Sequence, residues 1–331
     1  MDPPLDPPPP SGQASSMSAS AAPSPSPSPD DRRPILICGP TASGKSGLAL
    51  ALAERLDGVV INADALQVYD GWRVLTARPP AGDVARAPHR LYGHVPPSEP
   101  YSTGRWLAEA RAEIAAARAS GQVPILVGGT GLYFTALTEG LADIPPTPPA
   151  IRAAAEAELA RLGLPAFAEA LRARDPETHA RLDLANPRRV LRAWEALETT
   201  GRPLARLQAE TPPPLLALTD ARAIRLMPER ETLYAGIDAR FAAMLEEGAL
   251  DEARAAMDWE APAATAMQAL GAAELIAHLR GEMSLDEARE LAARATRRYA
   301  KRQLSWARNR LGAWPAAATP AEAFRALTGE A

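Results

Sequence analysis

Short apolar runs alternate with longer helix-forming segments in the first half of the chain. Three such runs lie at residues 35–38, 59–62 and 123–127, and only the last residue of the second, Asn62, is polar. The segments that follow are rich in alanine, leucine and charged residues and predict helices over residues 45–56, 103–119 and 132–139. Strands that are apolar on both faces and alternate with helices are typical of a parallel sheet covered on both sides. The pattern therefore predicts an α/β fold.

The pattern changes after residue 144, where prolines dominate residues 145–149. Residues 150–200 consist mainly of helix-forming residues, interrupted by a few glycines and prolines, and predict a helical insertion. The apolar run at residues 223–227 then predicts the last strand of the sheet. The segment after it predicts helices over residues 230–247, 249–257, 269–279 and 284–311.

These changes divide the chain into a core, an insertion and two ends. The core is predicted at residues 34–144 and 214–314, and the insertion at residues 145–213. Residues 1–33 are dominated by proline, serine and alanine without a hydrophobic period, which predicts disorder. We expect the proline-rich residues 71–101 to form loops, and residues 315–331 to form a weakly ordered tail in which residues 321–327 could form a short helix.

A glycine-bounded loop follows the first predicted strand. It reads Gly39-Pro40-Thr41-Ala42-Ser43-Gly44-Lys45-Ser46, the G-x-x-x-x-G-K-S spacing of a phosphate-binding loop, or P-loop. Glycines let backbone N–H groups turn toward an anion, and the helix that starts here adds its positive dipole end. Lys45 would supply a point charge, and the Ser46 hydroxyl would hold Mg²⁺. The loop alone does not identify the phosphate compound that it binds.

Two further polar residues are predicted at the same edge of the sheet. Asp64 follows the second strand and Thr130 follows the third, and ligands of open parallel sheets lie beyond the carboxyl ends of the strands. Asp64 could act as a general base or help to hold a metal, or it could cap a turn. Thr130, after Gly128 and Gly129, could contact a phosphate or only cap a glycine-rich turn.

A basic face is predicted on the last long helix. Its members are Arg294, Arg297, Arg298, Lys301, Arg302 and Arg308, which recur at three- and four-residue spacing without an acidic residue between 292 and 314. A solvated helix face normally mixes both signs of charge, so this face favours contact with a polyanion such as RNA. A plain solvated helix remains the alternative.

The overall charge and the cysteine content narrow the classes of function. The formal net charge is −4, so any nucleic-acid surface must be a local patch. The chain has one cysteine, Cys38, which excludes an internal disulfide and fits a reducing, cytoplasmic setting. No apolar run approaches the length of a membrane span. We expect a monomer.

Several motifs occur together in a fixed order. They are the loop at residues 39–46, Asp64-x-x-Gln67-x-Tyr69, Thr76-Ala77-Arg78-Pro79, the strand ending in Gly128-Gly129-Thr130-Gly131, Asn186-Pro187-x-Arg189, and Ala300-Lys301-Arg302-Gln303-x-x-Trp306. As a set they resemble the tRNA dimethylallyltransferase (isopentenyltransferase) family over residues 34–314. The resemblance implies a P-loop kinase-like fold and transfer of a dimethylallyl group to the N6 amine of an adenosine next to the tRNA anticodon. The target base would leave the stack to react.

The resemblance also implies roles for individual residues. The loop would bind the diphosphate of dimethylallyl diphosphate with Mg²⁺, and Asp64, Thr130, Lys45 and Arg240 would be catalytic. Residues implied to contact the tRNA anticodon stem-loop are Asp64, Ala65, Leu66, Gln67, Thr130, Arg152, Arg188, Arg189, Arg192, Gln268, Lys301, Arg302 and Arg308. Ala65, Gly236 and the pair Ala272-Ala273 depart from the usual residues of the family.

Two alternatives remain from the residues alone. One is a small-molecule P-loop kinase that uses ATP, because the loop spacing is shared by many nucleotide-binding proteins. The insertion and the basic face argue against it. The other is an RNA-binding protein without activity, which the presence of Asp64, Lys45 and Thr130 argues against.

Overall fold

The computed structural model describes residues 31–259, 262 and 265–330. The predicted disorder of residues 1–30 lies outside these residues. The core begins slightly earlier than predicted, because the Asp31 carbonyl accepts a hydrogen bond from the buried Arg222 at 2.9 Å. Within the described part of the chain, no helix is both long enough and apolar enough to cross a membrane.

Six parallel strands form one sheet in the order β3-β2-β4-β1-β5-β6. Their bounds are β1 (Ile35–Cys38), β2 (Gly58–Asn62), β3 (His89–Arg90), β4 (Val123–Gly128), β5 (Arg222–Leu226) and β6 (Ala316–Ala317). Strands β1, β2 and β4 are buried at every position, as their continuous apolar sequences predict. The predicted α/β fold with a parallel sheet is confirmed.

Thirteen helices are present in the described residues. They are α1 (Lys45–Leu56), α2 (Ala81–Arg86), α3 (Thr103–Ala119), α4 (Gly131–Glu139), α5 (Pro149–Arg174), α6 (Pro176–His179), α7 (Pro187–Thr200), α8 (Leu204–Ala209), α9 (Arg230–Glu246), α10 (Ala249–Ala256), α11 (Ala272–Leu279), α12 (Leu285–Arg310) and α13 (Pro320–Thr328). Helices cover both faces of the sheet, with α1 and α13 on one side and α3 and α4 on the other.

Helices α5 to α8 form the segment between the two parts of the core and enclose their own apolar cluster. Phe167, Leu171 and Val190 are fully buried there. A kink at Gly163, where φ is 73°, divides α5 and lets it fold along α7. Asn186 caps α7 by accepting hydrogen bonds from two backbone N–H groups, and Pro187 occupies the first helical position.

The prediction of a weakly ordered tail is wrong for residues 316–328. Ala316 and Ala317 pair with β5 in parallel, so residues 223–227 are not the last strand of the sheet. Thr319 caps α13, whose Ala323 and Leu327 are buried against the α1 side of the sheet. The segment is short and poor in large apolar residues, but Ala323, Phe324 and Leu327 pack on that side of the sheet.

The loop-rich reading of residues 71–101 is also incomplete. This region contains α2 and the two-residue strand β3, which pairs with β2. The turn at residues 73–75 is held by Glu252 of α10, whose carboxylate accepts hydrogen bonds from three consecutive backbone N–H groups at 2.7–3.0 Å. A distant helix therefore fixes this turn, and no local pattern reveals the contact.

Candidate active site

The loop at residues 39–46 joins the carboxyl end of β1 to the first turn of α1. Ala42 and Gly44 have positive φ angles of 62° and 78°, which curve the backbone between strand and helix. Lys45 points inward, is 8% exposed, and donates a hydrogen bond to the Pro40 carbonyl at 3.2 Å. The structure therefore places a buried ammonium group inside the loop.

A buried cation and a partly buried one meet at this loop. Arg240 of α9 donates a hydrogen bond to the Thr41 hydroxyl at 2.9 Å. Burial lowers the pKa of Lys45 to about 8, an effect that the Asp64 carboxylate opposes and the Arg240 charge reinforces. Burial likewise lowers the pKa of Arg240. Among the described residues neither group has a direct acidic partner, which favours binding of an anion between them.

Asp64 lies just beyond the end of β2, in a turn shaped by Asn62. The fully buried Asn62 side chain accepts from the Asp64 N–H at 2.8 Å and donates to the Asp64 and Leu91 carbonyls. One oxygen of the Asp64 carboxylate accepts from the Leu66 N–H at 3.1 Å. These bonds fix the position of the carboxylate.

Thr130 joins the ends of β4 and β2. Its hydroxyl accepts a hydrogen bond from the Ala65 N–H at 2.9 Å, and its own N–H donates to the Ala63 carbonyl at 3.2 Å. The hydroxyl proton remains available to a second partner. Strand β4 lies between β1 and β2, so Thr130 sits between the loop and Asp64 at the edge predicted from the sequence.

Two cavities flank this edge. The first, which we call the loop-side cavity, has a volume of about 670 Å³ and is lined by residues 42–47, residues 77–80 and Arg240, among others. The second, the helix-side cavity, has a volume of about 690 Å³ and is lined by residues 129–132, residues 267–271 and the inward side of α12. The loop contributes to both, since Gly39 lines the helix-side cavity.

Many of the predicted RNA-contacting residues meet at the helix-side cavity. Those that line it are Ala65, Leu66, Thr130, Arg188, Gln268 and Arg302. Tyr299 and Trp306 of α12 add two aromatic rings to the cavity. The Arg302 guanidinium lies over one of them, 5.5 Å from the Tyr299 ring centre. Aromatic rings beside cations suit an unstacked base.

Other predicted residues lie away from both cavities. The buried Gln67 amide donates to the Thr76 and Ala77 carbonyls at 2.8 Å, so it holds the neighbouring turn instead of facing a ligand. Arg152 and Arg192 both approach the buried Glu195 within the insertion, at 3.5 and 3.8 Å. The tRNA contacts implied for Gln67, Arg152 and Arg192 stay predictions.

Three of the predicted RNA contacts lie on α12. Lys301, Arg302 and Arg308 are exposed, whereas Arg297 of the predicted basic face is paired with Asp238 of α9 at 2.9 Å. Arg189 lies at the exposed start of α7, 3.9 Å from Asp183. The basic face is thus narrower than its sequence spacing indicates.

Gln303 is a site residue that the sequence reading did not single out. It lies on the inward side of α12 and is 9% exposed. Its amide oxygen accepts from the Thr41 N–H at 2.9 Å, and its amide nitrogen donates to the Gly129 carbonyl at 3.0 Å. Its place in the motif at residues 300–306 was a signal, but the motif does not disclose these two partners.

The glycines after β4 lie in close contact with side chains of α12. A Cβ atom on Gly129 would lie 2.1 Å from the Gln303 amide nitrogen, and one on Gly131 would lie 2.0 Å from the Trp306 ring. Both contacts are closer than real Cβ atoms allow. These glycines let α12 rest directly on the end of β4.

Metal-binding groups are sparse in the site. Among the described residues, no three histidine, cysteine, aspartate or glutamate side chains are grouped as metal ligands. The Ser46 hydroxyl lies on the exposed part of the first turn of α1. Cys38 is buried, and its burial raises the pKa of its thiol to about 12, which argues against a nucleophile or a metal ligand.

These features define a P-loop transferase with a basic face for a polyanionic substrate. The sequence model of the IPP transferase family matches residues 67–310, and the chain belongs to this family. The predicted family resemblance is therefore confirmed.

Similar proteins cover most of the chain. A tRNA dimethylallyltransferase of Dinoroseobacter shibae is 60% identical over 287 residues, which are 85% of this chain and 93% of that protein. A tRNA dimethylallyltransferase of Cereibacter sphaeroides is 57% identical over 282 residues, which are 85% of this chain and 88% of that protein.

Two solved structures are also similar. The tRNA isopentenylpyrophosphate transferase of Bacillus halodurans has a TM-score of 0.63 and 34% identity, over 90% of this chain and 96% of that one. A eukaryotic dimethylallyltransferase described as acting on tRNA has a TM-score of 0.75 and 26% identity, over 90% of this chain and 77% of that one.

Proposed function

We infer that this chain transfers a dimethylallyl group from dimethylallyl diphosphate to the N6 amine of the adenosine adjacent to the anticodon in tRNA, releasing diphosphate. One observation carries the inference. The P-loop, with the cations Lys45 and Arg240, lies at the same edge of the sheet as Asp64 and Thr130, and a cavity lies on each side of this edge. The names of the similar proteins support the same reaction.

The loop-side cavity suits the diphosphate of the donor. Lys45 is buried and Arg240 is partly buried, and neither has a direct acidic partner in the part of the chain that the structure describes. Backbone N–H groups at the start of α1 add their partial positive charge. When the C–O bond of the donor breaks, negative charge grows on the bridging oxygen. Fixed cations stabilise that charge more in the transition state than in the ground state.

Mg²⁺ fits the same place. The Ser46 hydroxyl and the oxygens of a bound diphosphate are hard oxygen ligands, which Mg²⁺ prefers, and it commonly binds through substrate phosphates and few protein groups. When bound, the ion would neutralise part of the diphosphate charge. Ser46 would hold it at the first turn of α1.

The helix-side cavity suits the acceptor base. An adenine N6 amine is a weak nucleophile because its lone pair is delocalised into the ring, so it needs a base to accept a proton as the new C–N bond forms. Asp64 is held for this role by Asn62 and by the Leu66 N–H. The Thr130 hydroxyl lies beside it and has a proton to donate.

The remaining surface suits the RNA. Lys301, Arg302 and Arg308 are exposed on α12, and Arg302 and Arg188 also line the helix-side cavity, the latter from the insertion. Phosphate contacts of this kind position a nucleic acid, and the cavity then selects the base.

The decisive experiment weighs the product. Incubation of an anticodon stem-loop RNA with the protein, Mg²⁺ and dimethylallyl diphosphate should add one five-carbon unit to the adenosine next to the anticodon, detected by mass spectrometry of nuclease fragments. RNA with guanosine at that position is the matched control. An unmodified RNA would reject the proposal, and strong stabilisation by Mg²⁺–ATP but not by the donor would favour the kinase alternative.

A second measurement tests the basic face of α12. Replacing Lys301 and Arg302 by alanine should weaken stem-loop binding and reduce the slope of log K against log salt by about 0.7–0.9 per lost phosphate contact. The matched control replaces the exposed Arg118 of α3 by alanine. An unchanged salt slope would contradict direct phosphate contact.

A further inference from the structure

Helix α12 connects the two substrates of the proposed reaction, and this inference rests on that proposed function. It carries the exposed Lys301 and Arg302, of which Arg302 also lines the helix-side cavity, and the buried Gln303. Residues 301–303 are consecutive, so an RNA contact and an active-site contact are built on the same helical turn.

Gln303 bridges two separate loops of the active site. Its amide oxygen accepts from Thr41, in the loop after β1, and its amide nitrogen donates to Gly129, in the loop after β4. The chain of contacts continues, because the Thr41 hydroxyl accepts from Arg240 at 2.9 Å. The Gln303 side chain therefore joins α12 to the P-loop and to Gly129, the residue that precedes Thr130.

Glutamine suits this bridge chemically. An amide has one acceptor and a pair of donors at its end, and here both kinds of group are used on backbone atoms. The side chain is buried, so removing it would leave the Thr41 N–H and the Gly129 carbonyl without this partner, a costly change in a dry site. Gly129 leaves the space that the amide occupies.

We propose that Gln303 is a positioning residue through which RNA bound on α12 tightens the P-loop around the diphosphate. RNA that fixes α12 also fixes Gln303, and Gln303 then holds Thr41, whose hydroxyl is the partner of Arg240. Because coupling between two binding sites is reciprocal, bound diphosphate strengthens RNA binding by the same factor.

The test measures the affinity for inorganic diphosphate with Mg²⁺, in the presence and absence of saturating stem-loop RNA. The wild-type protein should bind diphosphate about tenfold more tightly with RNA, within the usual range of such coupling. In Gln303→Met, which keeps the side-chain length but makes neither hydrogen bond, the ratio should fall to about one. Binding of RNA alone should stay within about twofold.

Two further variants separate coupling from folding. Gln303→Glu keeps the acceptor for Thr41 but loses the donor for Gly129. Its charge affects the diphosphate affinity equally with and without RNA. The ratio of the two affinities should therefore lie between those of the wild-type protein and Gln303→Met. Gln122→Met makes the same substitution at a turn beside β4, where the amide contacts only Asp57, and should keep the wild-type ratio.

The outcomes are distinct. The proposal would be overturned if RNA did not change the diphosphate affinity of the wild-type protein, or if RNA changed the affinity of Gln303→Met by the same factor as that of the wild type. If Gln303→Met kept that factor and only melted at a lower temperature, Gln303 would be a merely structural residue. If Gln303→Met does not fold, the proposal is overturned when RNA raises the diphosphate affinity of Gln303→Glu by the same factor as that of the wild-type protein. The stem-loop mass measurement on the wild-type protein is independent: transfer without coupling rejects only this inference, and absence of transfer rejects the proposed reaction.

Discussion

Replacing Asp64 by asparagine is expected to lower the rate of prenyl transfer by about 10²–10⁴-fold, the usual contribution of a positioned general base. The asparagine oxygen can still accept the Leu66 N–H, and the backbone contacts from Asn62 remain. The turn should therefore keep its shape while the group that accepts the proton is lost. Binding of stem-loop RNA should stay within about twofold, because exposed cations elsewhere supply most of its affinity.

Single-turnover kinetics with saturating donor and RNA measure this change without interference from product release. Asp70→Asn, at an exposed position a few residues further along the same segment, is the matched control and should react at the wild-type rate. Turnover of Asp64→Asn within about threefold of the wild type would remove Asp64 from the role of base.

Replacing Lys45 by methionine is expected to lower the rate by about 10²–10³-fold, as removal of one preorganised electrostatic contact does elsewhere. Methionine has nearly the same length and suits the buried position, so the fold should be preserved. Diphosphate binding should weaken as well, because the loop then retains Arg240 as its partly buried cation. Isothermal titration with diphosphate and single-turnover rates check the two effects separately, and Lys301→Met serves as a control for diphosphate binding in the free protein.

The pKa of Lys45 gives this prediction a pH signature. Burial lowers it to about 8 in the free protein, below the usual lysine value of 10.5. Diphosphate affinity should therefore fall as the pH rises above about 8, because the ammonium group loses its proton. Stability should change in the opposite direction: between about 8 and 10.5 the unfolded chain binds more protons, so the free energy of unfolding rises with pH. Both trends should be absent in Lys45→Met.

The sequence was sufficient where the chemistry is local. The loop at residues 39–46 has a fixed spacing, and its neighbours Asp64 and Thr130 follow strands whose apolar runs are unambiguous. Parallel strands place their carboxyl ends at one edge, so the loop, Asp64 and Thr130 could be assigned to one site from the sequence alone. The approach of Arg240 to Thr41 also follows the expected placement.

The sequence was insufficient where a partner is distant or a side chain is already occupied. Gln67 and Arg152 have residue types that suit RNA, but the first holds two backbone carbonyls and the second approaches a buried carboxylate. Gln303 shows the reverse, since nothing in its local sequence reveals Thr41 or Gly129 as partners. The ordered tail was missed because a two-residue strand has no periodicity to detect.

The C-terminal segment has a consequence for the order in which the protein is synthesised. The first residue of α13, Pro320, lies against Gly44, where a Cβ atom would come within 2.7 Å of its ring. The P-loop leaves the ribosome before Gln303 and Pro320, which rest on it. A nascent chain that has reached residue 280 already contains Lys45 and Asp64 but lacks both supports. The donor site is thus completed only after Pro320 has been synthesised.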